Sequence, residues 1–461
     1  MKKYIFCLPL LVLTFISCKK EFLDLNPVSV IAPGQFFKTA GDAVTAVNGC
    51  YASLALGSQY GSTFQTLMEA RADNFTDQDP SSNSGQNYQI NRYSDNPGNT
   101  NFYNAWVGIY NGIFRCNTLL AAIDGINMDD ALKNRIKGEA RFIRALDYFN
   151  LVRLWGAVPL LTIPADPVNA VNLKRDDVAG IYKQIEEDLV FASANLPDKY
   201  ASTELGRATP GAAKGLLGKV YLYQKKYSAA QTVLQQVVDS KVFTLLPNAA
   251  DVFSTTNKYN TEIVFAIRYA KGVANQDHGF WYANSQTITV DTTLMKAYDA
   301  NDLRRPLAES AKPVGNANMM PRKFLDDPIN GNAGNDFPVL RFADILLMQA
   351  EVLNEQGYSA GGNAFTYLNQ VRTRAGLPAL QAADLPDQAS FRNEVYKQRR
   401  LELPFECDRW FDLVRTNRAI SEILANKKVT LPAFRLIYPI PQQEIDIMNN
   451  RTTFPQNPGY E

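Results

Sequence analysis

Apolar residues recur every three to four positions over most of the chain, the spacing of a helix that buries one face. From Gly41 the stripe is Ala43, Val44, Val47, Tyr51 and Leu54. Residues 101–123 carry Trp106, Ile109, Tyr110, Ile113 and Leu120. Residues 130–155 carry Leu132, Ile136, Ala140, Ile143, Leu146 and Leu151, then stop at Gly156 with Pro159 beyond. Residues 176–195 repeat the pattern with Val178, Ile181, Ile185 and Leu189, ahead of Pro197. Thr209 caps the next helix and Pro210 suits its first position, where a missing N–H costs nothing. That helix runs to about Tyr223; a turn at Lys225–Tyr227 leads to another through Val238.

This last pair fits the tetratricopeptide pattern, with Leu217-Gly218 and Tyr221 followed by Ala230 and Leu234. Lys214 stands at the usual Trp and Val242 at the closing Pro. A second pair follows. Phe342, Ile345, Leu346, Ala350 and Leu353 end at Gly357; Phe365, Leu368 and Val371 end at Gly376 and Pro378. Unequal loops make the array degenerate.

Between these runs the pattern breaks. Residues 57–100 are rich in Gly, Ser, Asn, Asp and Gln and read as long loops. Residues 241–340 lack helical period and hold two strand-like runs, Ile263 to Ile267 and Thr287 to Val290. The end, Leu431 to Tyr460, is extended and Pro-rich. Long irregular regions on a helical scaffold are usually functional surface. The expected fold is mainly α: a tetratricopeptide-like α/α superhelical scaffold with long irregular loops and a few short strands.

The amino terminus has its own pattern. Met1-Lys2-Lys3, an apolar run from Tyr4 to Ile16 and then Ser17-Cys18 read as a bacterial lipoprotein signal, with Phe15 where the consensus prefers Leu. As a helix the run is roughly 20 Å long, too short for a hydrocarbon core of about 30 Å. Cys18 is the expected lipidation site, since acyl chains on a terminal cysteine anchor a protein stably. The division expected is a signal peptide at 1–17, a lipidated tether at 18–40 broken by Pro27 and Pro33, and two halves, 41–240 and 241–461, of one integrated fold.

Charge and chemistry narrow the function. Lys and Arg number 47 and Asp and Glu 46; without Lys2 and Lys3 this leaves 45 against 46. No basic field exists for nucleic acid. His278 is the only histidine, which removes HExxH zinc sites and multi-histidine metal centres. No GxxxxGK occurs, and no GxGxxG opens a helix. Cys50, Cys116 and Cys407 show no CxxC spacing and lie in apolar helical patterns, so they read as buried thiols.

Aromatic rings on irregular segments suit the flat apolar faces of sugars or of peptide side chains; for a sugar, amide, carboxylate or Arg groups beside them would meet the hydroxyls. Two irregular stretches supply both. One holds Arg71, Asp73, Asn74, Asp77, Tyr88, Tyr93, Asn101 and Phe102; the other holds Asp277, His278, Phe280, Trp281 and Tyr282, with Tyr298 and Arg304 following. Trp281 is the leading ligand candidate. Asp73, Asn74, Asp77, Asp79 and Asn83 also invite a calcium reading, but their spacing fits no EF-hand loop and turn chemistry explains them better, so no cofactor is expected. Arg341, Asp344, Arg372, Arg374, Arg399, Glu402, Arg409 and Asp412 are read as buried pairs that orient helices. Hydrolysis of sugars needs two carboxylates across a cleft, and no pair stands out for it.

Several motifs, in order, carry a resemblance. They are Cys18 with Phe22-Leu23-Asp24; Arg144-Ala145 and Tyr148-Phe149 leading to Trp155-Gly156-Ala157-Val158-Pro159; and Leu340-Arg341-Phe342-Ala343-Asp344-Ile345-Leu346-Leu347. Then come Leu368-Asn369, Val371-Arg372, Arg374-Ala375-Gly376, Arg399-Arg400, Glu402-Leu403, Arg409-Trp410 and Asp412-Leu413. Pro439-Ile440-Pro441 and Gln456-Asn457-Pro458-Gly459-Tyr460 close the set. Across essentially its whole length the chain resembles the SusD/RagB family of outer-membrane nutrient-binding lipoproteins from Bacteroidetes. The resemblance implies about four tetratricopeptide-like pairs and a lipid-anchored protein facing the cell exterior. It implies capture of oligosaccharide, without catalysis, for a SusC-like TonB-dependent transporter. By matching the family's loop after the first helices, it ranks Asp73 second among ligand residues. Peptide capture is the alternative within binding proteins; a surface glycosidase or a purely structural adaptor are the readings from other classes.

Overall fold

The computed structural model describes residues 36–81, 83–165, 172–273, 288–311, 320–326 and 334–460. The signal, Cys18 and nearly all of the tether lie outside them.

The expected helices form, several of them with a side-chain cap at the start. α1 (Ala40–Leu54) opens on a capping box, in which Thr39 and Asp42 each satisfy the other's backbone N–H. A π-helical turn (Gln65–Ala70) and β1 (Phe75–Asp77) follow, then α2 (Gln86–Asn91). α3 (Thr100–Ala122) is capped by Asn99 and α4 (Asp130–Trp155) by Asp129; α4 stops at Gly156, whose φ of +74° few other residues adopt. α5 (Val178–Asn195), α6 (Pro210–Tyr223) and α7 (Tyr227–Asp239) continue the array, with Thr209 and Pro210 starting α6 as predicted.

Next come β2 (Ile263–Ile267), β3 (Ile288–Val290), α8 (Thr292–Ala297), α9 (Arg305–Ala308), β4 (Ser310–Ala311), β5 (Met320–Pro321) and β6 (Phe337–Arg341). α10 (Phe342–Gln356) and α11 (Asn363–Arg374) form the second predicted pair. α12 (Gln388–Glu402), α13 (Arg409–Arg415), α14 (Ala419–Lys427) and α15 (Gln442–Met448) close the chain.

Helices pack in chain order from α1 against α3 through to α6 against α7; α7 then meets α10 across the irregular region, and α10 carries α11 and α12. The array is thus continuous in space though interrupted in sequence. Small residues set its spacing. At Gly218 on α6 an added Cβ would stand 2.4 Å from Leu234 Cδ2 on α7. Gly218→Ala is therefore expected to destabilise the protein by about 1–3 kcal/mol through overpacking, despite alanine's better helix propensity. Denaturant unfolding would measure this, and an unchanged or raised midpoint would contradict it.

β2 and β6 pair antiparallel, with Ile263 opposite Arg341 and Ile267 opposite Phe337. One large apolar core runs through the helices; a smaller cluster holds Ala70, Phe75, Leu294, Tyr298, Phe324 and Phe405. Trp106, Trp155 and Trp410 are core residues, and Cys50, Cys116 and Cys407 are buried free thiols. The eight charged residues of the motifs are buried and paired. Arg341 reaches Glu406 (2.7 Å), Glu402 (2.6 Å) and Glu262 (3.0 Å); Arg399 reaches Asp344 (2.7 Å) and Asp412 (2.8 Å). Arg374 pairs with Glu262 and Glu402, Arg372 with Glu394, and Arg409 with Asp73.

Two expectations need correction. The closing stretch from Leu431 to Tyr460 is not extended throughout, since α15 lies within it. The polar stretch at 57–100 is not a set of solvated loops: residues 63–75 are buried throughout. Four of their polar side chains are bonded to the far end of the chain: Glu69 to the Cys407 N–H, Arg71 to the Arg435 carbonyl, Asp73 to Arg409 and Asn426, and Asn74 to Arg400.

Candidate ligand surface

The two irregular stretches meet. β1 and β3 pair antiparallel, with Phe75 opposite Val290, Thr76 opposite Thr289 and Asp77 opposite Ile288. Further bonds extend the ladder: the Asp291 N–H donates to the Asn74 carbonyl at 2.8 Å, and Thr76 Oγ1 donates to Asp291 Oδ2 at 2.6 Å. Arg400 on α12 fastens the junction from behind. It donates to Asn74 Oδ1 (3.1 Å), the Asp73 carbonyl (3.3 Å) and Thr293 Oγ1 (3.2 Å).

Several sequence candidates belong to this backing and not to its outer face. Asp73 is fully buried and takes a two-pronged bond from Arg409 at 2.7 and 2.8 Å, plus one from Asn426 at 2.6 Å. Burial opposes its charge, yet Arg409 and Arg400 hold the carboxyl well below the usual range. A ligand contact for Asp73 requires exposure that it lacks, and its oxygens are taken by Arg409 and Asn426. Arg71 is likewise buried, bonded to Asp95 (2.9 Å) and the Arg435 carbonyl (2.6 Å), with its guanidinium 4.3 Å from the Tyr438 ring centre. Tyr93 donates its hydroxyl to the Arg71 carbonyl from inside the core. Asn101, in the first turn of α3, donates to Asn87 and Asn99 at 3.1 Å each and is buried. Tyr298 and Arg304 are also interior, the first bonded to the Leu401 carbonyl and the second to Asp302, Glu402 and Gln398.

Tyr88 is different. It is half-buried on α2, and Arg92, one turn later, lies 5.3 Å from its ring centre. Arg92 donates to the Asp77 carbonyl at 3.4 Å and so spans α2 and β1. Beside them Gln78 is exposed and donates to Thr289 Oγ1 at 3.3 Å, across the β1–β3 junction. Asn83, Ser84 and Gly85, with φ of 48°, 55° and 82°, turn the chain sharply into α2. Consecutive left-handed residues store strain of the kind that clusters at functional loops.

The outer face therefore presents an aromatic ring, a guanidinium and an amide, the three groups that saccharide recognition uses. Gln78, Arg92 and Thr289 escaped the sequence reading; the i, i+4 spacing of Tyr88 and Arg92 was the available signal. Phe280, Trp281 and Tyr282, with Asp277 and His278, lie outside the described residues. Among the described residues no group of three or more His, Cys, Asp or Glu is placed to hold a metal ion.

Comparison with known proteins adds independent findings. A family model described as the SusD family matches residues 305–460, and one described as "Starch-binding associating with outer membrane" matches residues 21–222. SusD-like protein P2 of Formosa agariphila is 28% identical over 100% of both chains. A SusD-like protein of Bacteroides ovatus is 24% identical over 92% of this chain and 84% of its own. Among solved structures, a laminarin binding SusD-like protein superposes with a TM-score of 0.77 at 28% identity, covering 92% of this chain and 100% of that one. Surface glycan-binding protein A of Bacteroides thetaiotaomicron shares the fold, with a TM-score of 0.76 at 20% identity over 92% of this chain and 100% of its own.

Proposed function

Because the chain belongs to the SusD/RagB family, we propose that it is a lipid-anchored, cell-surface glycan-binding protein that passes oligosaccharide to a SusC-like TonB-dependent transporter. The observation that carries the reading is the β1–β3 pairing. It brings two stretches from opposite halves of the chain to one face, where Tyr88, Arg92 and Gln78 stand together. In sequence, the stretch bearing Phe280, Trp281 and Tyr282 immediately precedes β3. The laminarin-binding relative supports a glycan as the ligand.

The division of labour follows from the packing. Ionic and aromatic contacts spent inside the scaffold fix the backing of the surface, so the ligand meets a preorganised face and little ordering cost falls on capture. Cys18 at the head of the tether gives membrane attachment, and residues 18–40 give it reach.

The test is titration calorimetry against a panel of neutral and acidic oligosaccharides, including laminari-oligosaccharides. Tyr88→Ala and Trp281→Ala are each expected to weaken the best ligand about tenfold, the loss of one stacking partner, with far-UV circular dichroism unchanged. Unaltered affinity in both variants would move the site elsewhere. Failure of the wild-type chain to bind any glycan while binding peptides would overturn the reading.

A further inference from the structure

A second cleft, sharing no residue with the surface above, opens between α1, the turn at residues 203–207 and β2. It encloses about 480 Å³, within the range of small-ligand sites.

Its charged groups are organised around a buried acid. Glu139 is fully buried and receives Arg135 at 3.0 Å and Arg207 at 2.7 Å. Glu204, at the rim, pairs with Arg135 and lies 3.4 Å from Arg207. Arg207 also donates to Asn48 Oδ1 at 2.6 Å and sits 5.7 Å from the Tyr51 ring centre. The Tyr51 hydroxyl accepts the Ala208 N–H at 2.9 Å, which holds the ring, and with its oxygen taken by Arg207 the Asn48 amide donates to no acceptor among the described residues.

Arg268 stands opposite. It is exposed, donates Nη1 to the Leu205 carbonyl at 3.0 Å and lies 5.3 Å from the Tyr259 ring centre. Among the described residues it forms no ion pair within 4 Å; Asp336, beyond Tyr259, feels its charge but is paired with Lys258 at 2.8 Å, so Arg135, Arg207 and Arg268 face two carboxylates and one positive charge remains. Its position depends on Gly206. There φ is +94°, and an added Cβ would stand 2.7 Å from both Arg268 Cδ and Tyr259 Oη. Leu205, 41% exposed, forms an apolar lip beside this guanidinium.

Both carboxylates are neutralised, so the cleft has no use for a cationic ligand. An amide donor, a planar fork and an apolar lip around an aromatic ring suit a compact molecule with paired oxygens and one apolar face. We propose that the cleft is a second saccharide subsite, taking a unit of one or two rings, with Arg268 forking onto two ligand oxygens and Asn48 donating to a third. The oxygens are vicinal hydroxyls or the carboxylate of a uronic acid. This rests on the glycan-binding reading but not on the surface at Tyr88.

Calorimetry with laminari-oligosaccharides and with oligogalacturonides, each short enough for one site, tests it. The wild-type chain is expected to bind two per protein with at least one of the two series. Leu205→Trp, which fills the lip, is expected to leave one, and Arg268→Gln to weaken the second site tenfold or more. Loss of that site with rising salt for the uronide series alone identifies the carboxylate. One site in the wild-type chain that Leu205→Trp does not touch, or a second site indifferent to Arg268→Gln, would overturn the proposal and leave the Tyr88 surface standing. A single site removed by Leu205→Trp and indifferent to Tyr88→Ala would support the cleft and overturn the surface. If the tryptophan variant does not fold, Arg268→Gln at an exposed position decides alone. No binding of any saccharide would overturn both readings.

Discussion

Replacement of Arg341 by methionine is expected to remove about 3–5 kcal/mol of stability, among the largest effects of any single change in the protein. Arg341 ends β6 and is fully interior, and its guanidinium is shared by Glu262, Glu402 and Glu406. The cost arises less from the bonds lost than from the carboxylates left behind. Glu406 keeps Lys323, but Glu402 then depends on Arg374 and Arg304, and Glu262 on Arg374. Burial opposes the charge of Glu402, and the surrounding guanidiniums now hold its carboxyl well below the usual range. Combining the methionine with Glu402→Gln is expected to return part of the loss, because one carboxylate leaves with one guanidinium and the pairs Arg374–Glu262, Arg304–Asp302 and Lys323–Glu406 remain. Denaturant midpoints of the single and double variants measure both statements. A single-variant loss under about 1 kcal/mol would show that these charges are not the desolvated network described.

The second large effect depends on pH. Glu69 lies in the π-helical turn behind the ligand surface, is fully buried, and accepts the Cys407 N–H at 2.6 Å. Burial pushes its carboxyl up to about 8, against the opposing pull of that N–H. The folded protein thus holds a proton on Glu69 at neutral pH that the unfolded chain, with an ordinary value of 4.5, releases. Proton uptake on folding means that stability from this group is complete below about 4.5 and is lost as pH rises through about 8. The loss amounts to about 4 kcal/mol at pH 8. Glu69→Gln imitates the protonated acid without titrating. Its melting temperature is expected to match the wild type near pH 5 and to exceed it progressively toward pH 8 and above. Parallel profiles for the two proteins would exclude a neutral Glu69.

These two residues also mark where the sequence speaks and where it falls silent. Helical stripes such as Ala43 to Leu54 are local: residues three and four apart share a face whatever else the chain does. The Gly218–Leu234 approach is legible for the same reason, since a repeat motif encodes a contact between adjacent helices. Runs of β-branched residues placed β2 and β3 almost to the residue. The pairing of β3 with β1 could not be read, because three-residue strands carry no register and their partner lies in the other half of the chain.

Polar residues between 63 and 75 misled most. Their composition suits a surface loop, and only the partners at Arg400, Arg409 and Asn426 reveal an interior. The local hint was the apolar company of Arg71 and Asp73: Leu67, Met68, Ala70, Ala72 and Phe75. By the same logic the charged residues of the closing helices were read correctly as pairs, but which acid meets which base is a tertiary fact.

The β1–β3 junction has a bearing on how the molecule is made. Its hydrogen bonds join Thr76 to Asp291, residues 215 positions apart, and Arg409 closes on Asp73 across 336. Helix pairs such as α6 and α7 close over a few tens of residues and can form as the polypeptide emerges. The recognition face cannot; it waits until nearly the whole polypeptide is available and carries the loop-closure cost of the longest contacts. Assembly of that face therefore comes late and reports on completion, so a chain that lacks its last few helices would have much of its scaffold yet no surface to offer a ligand.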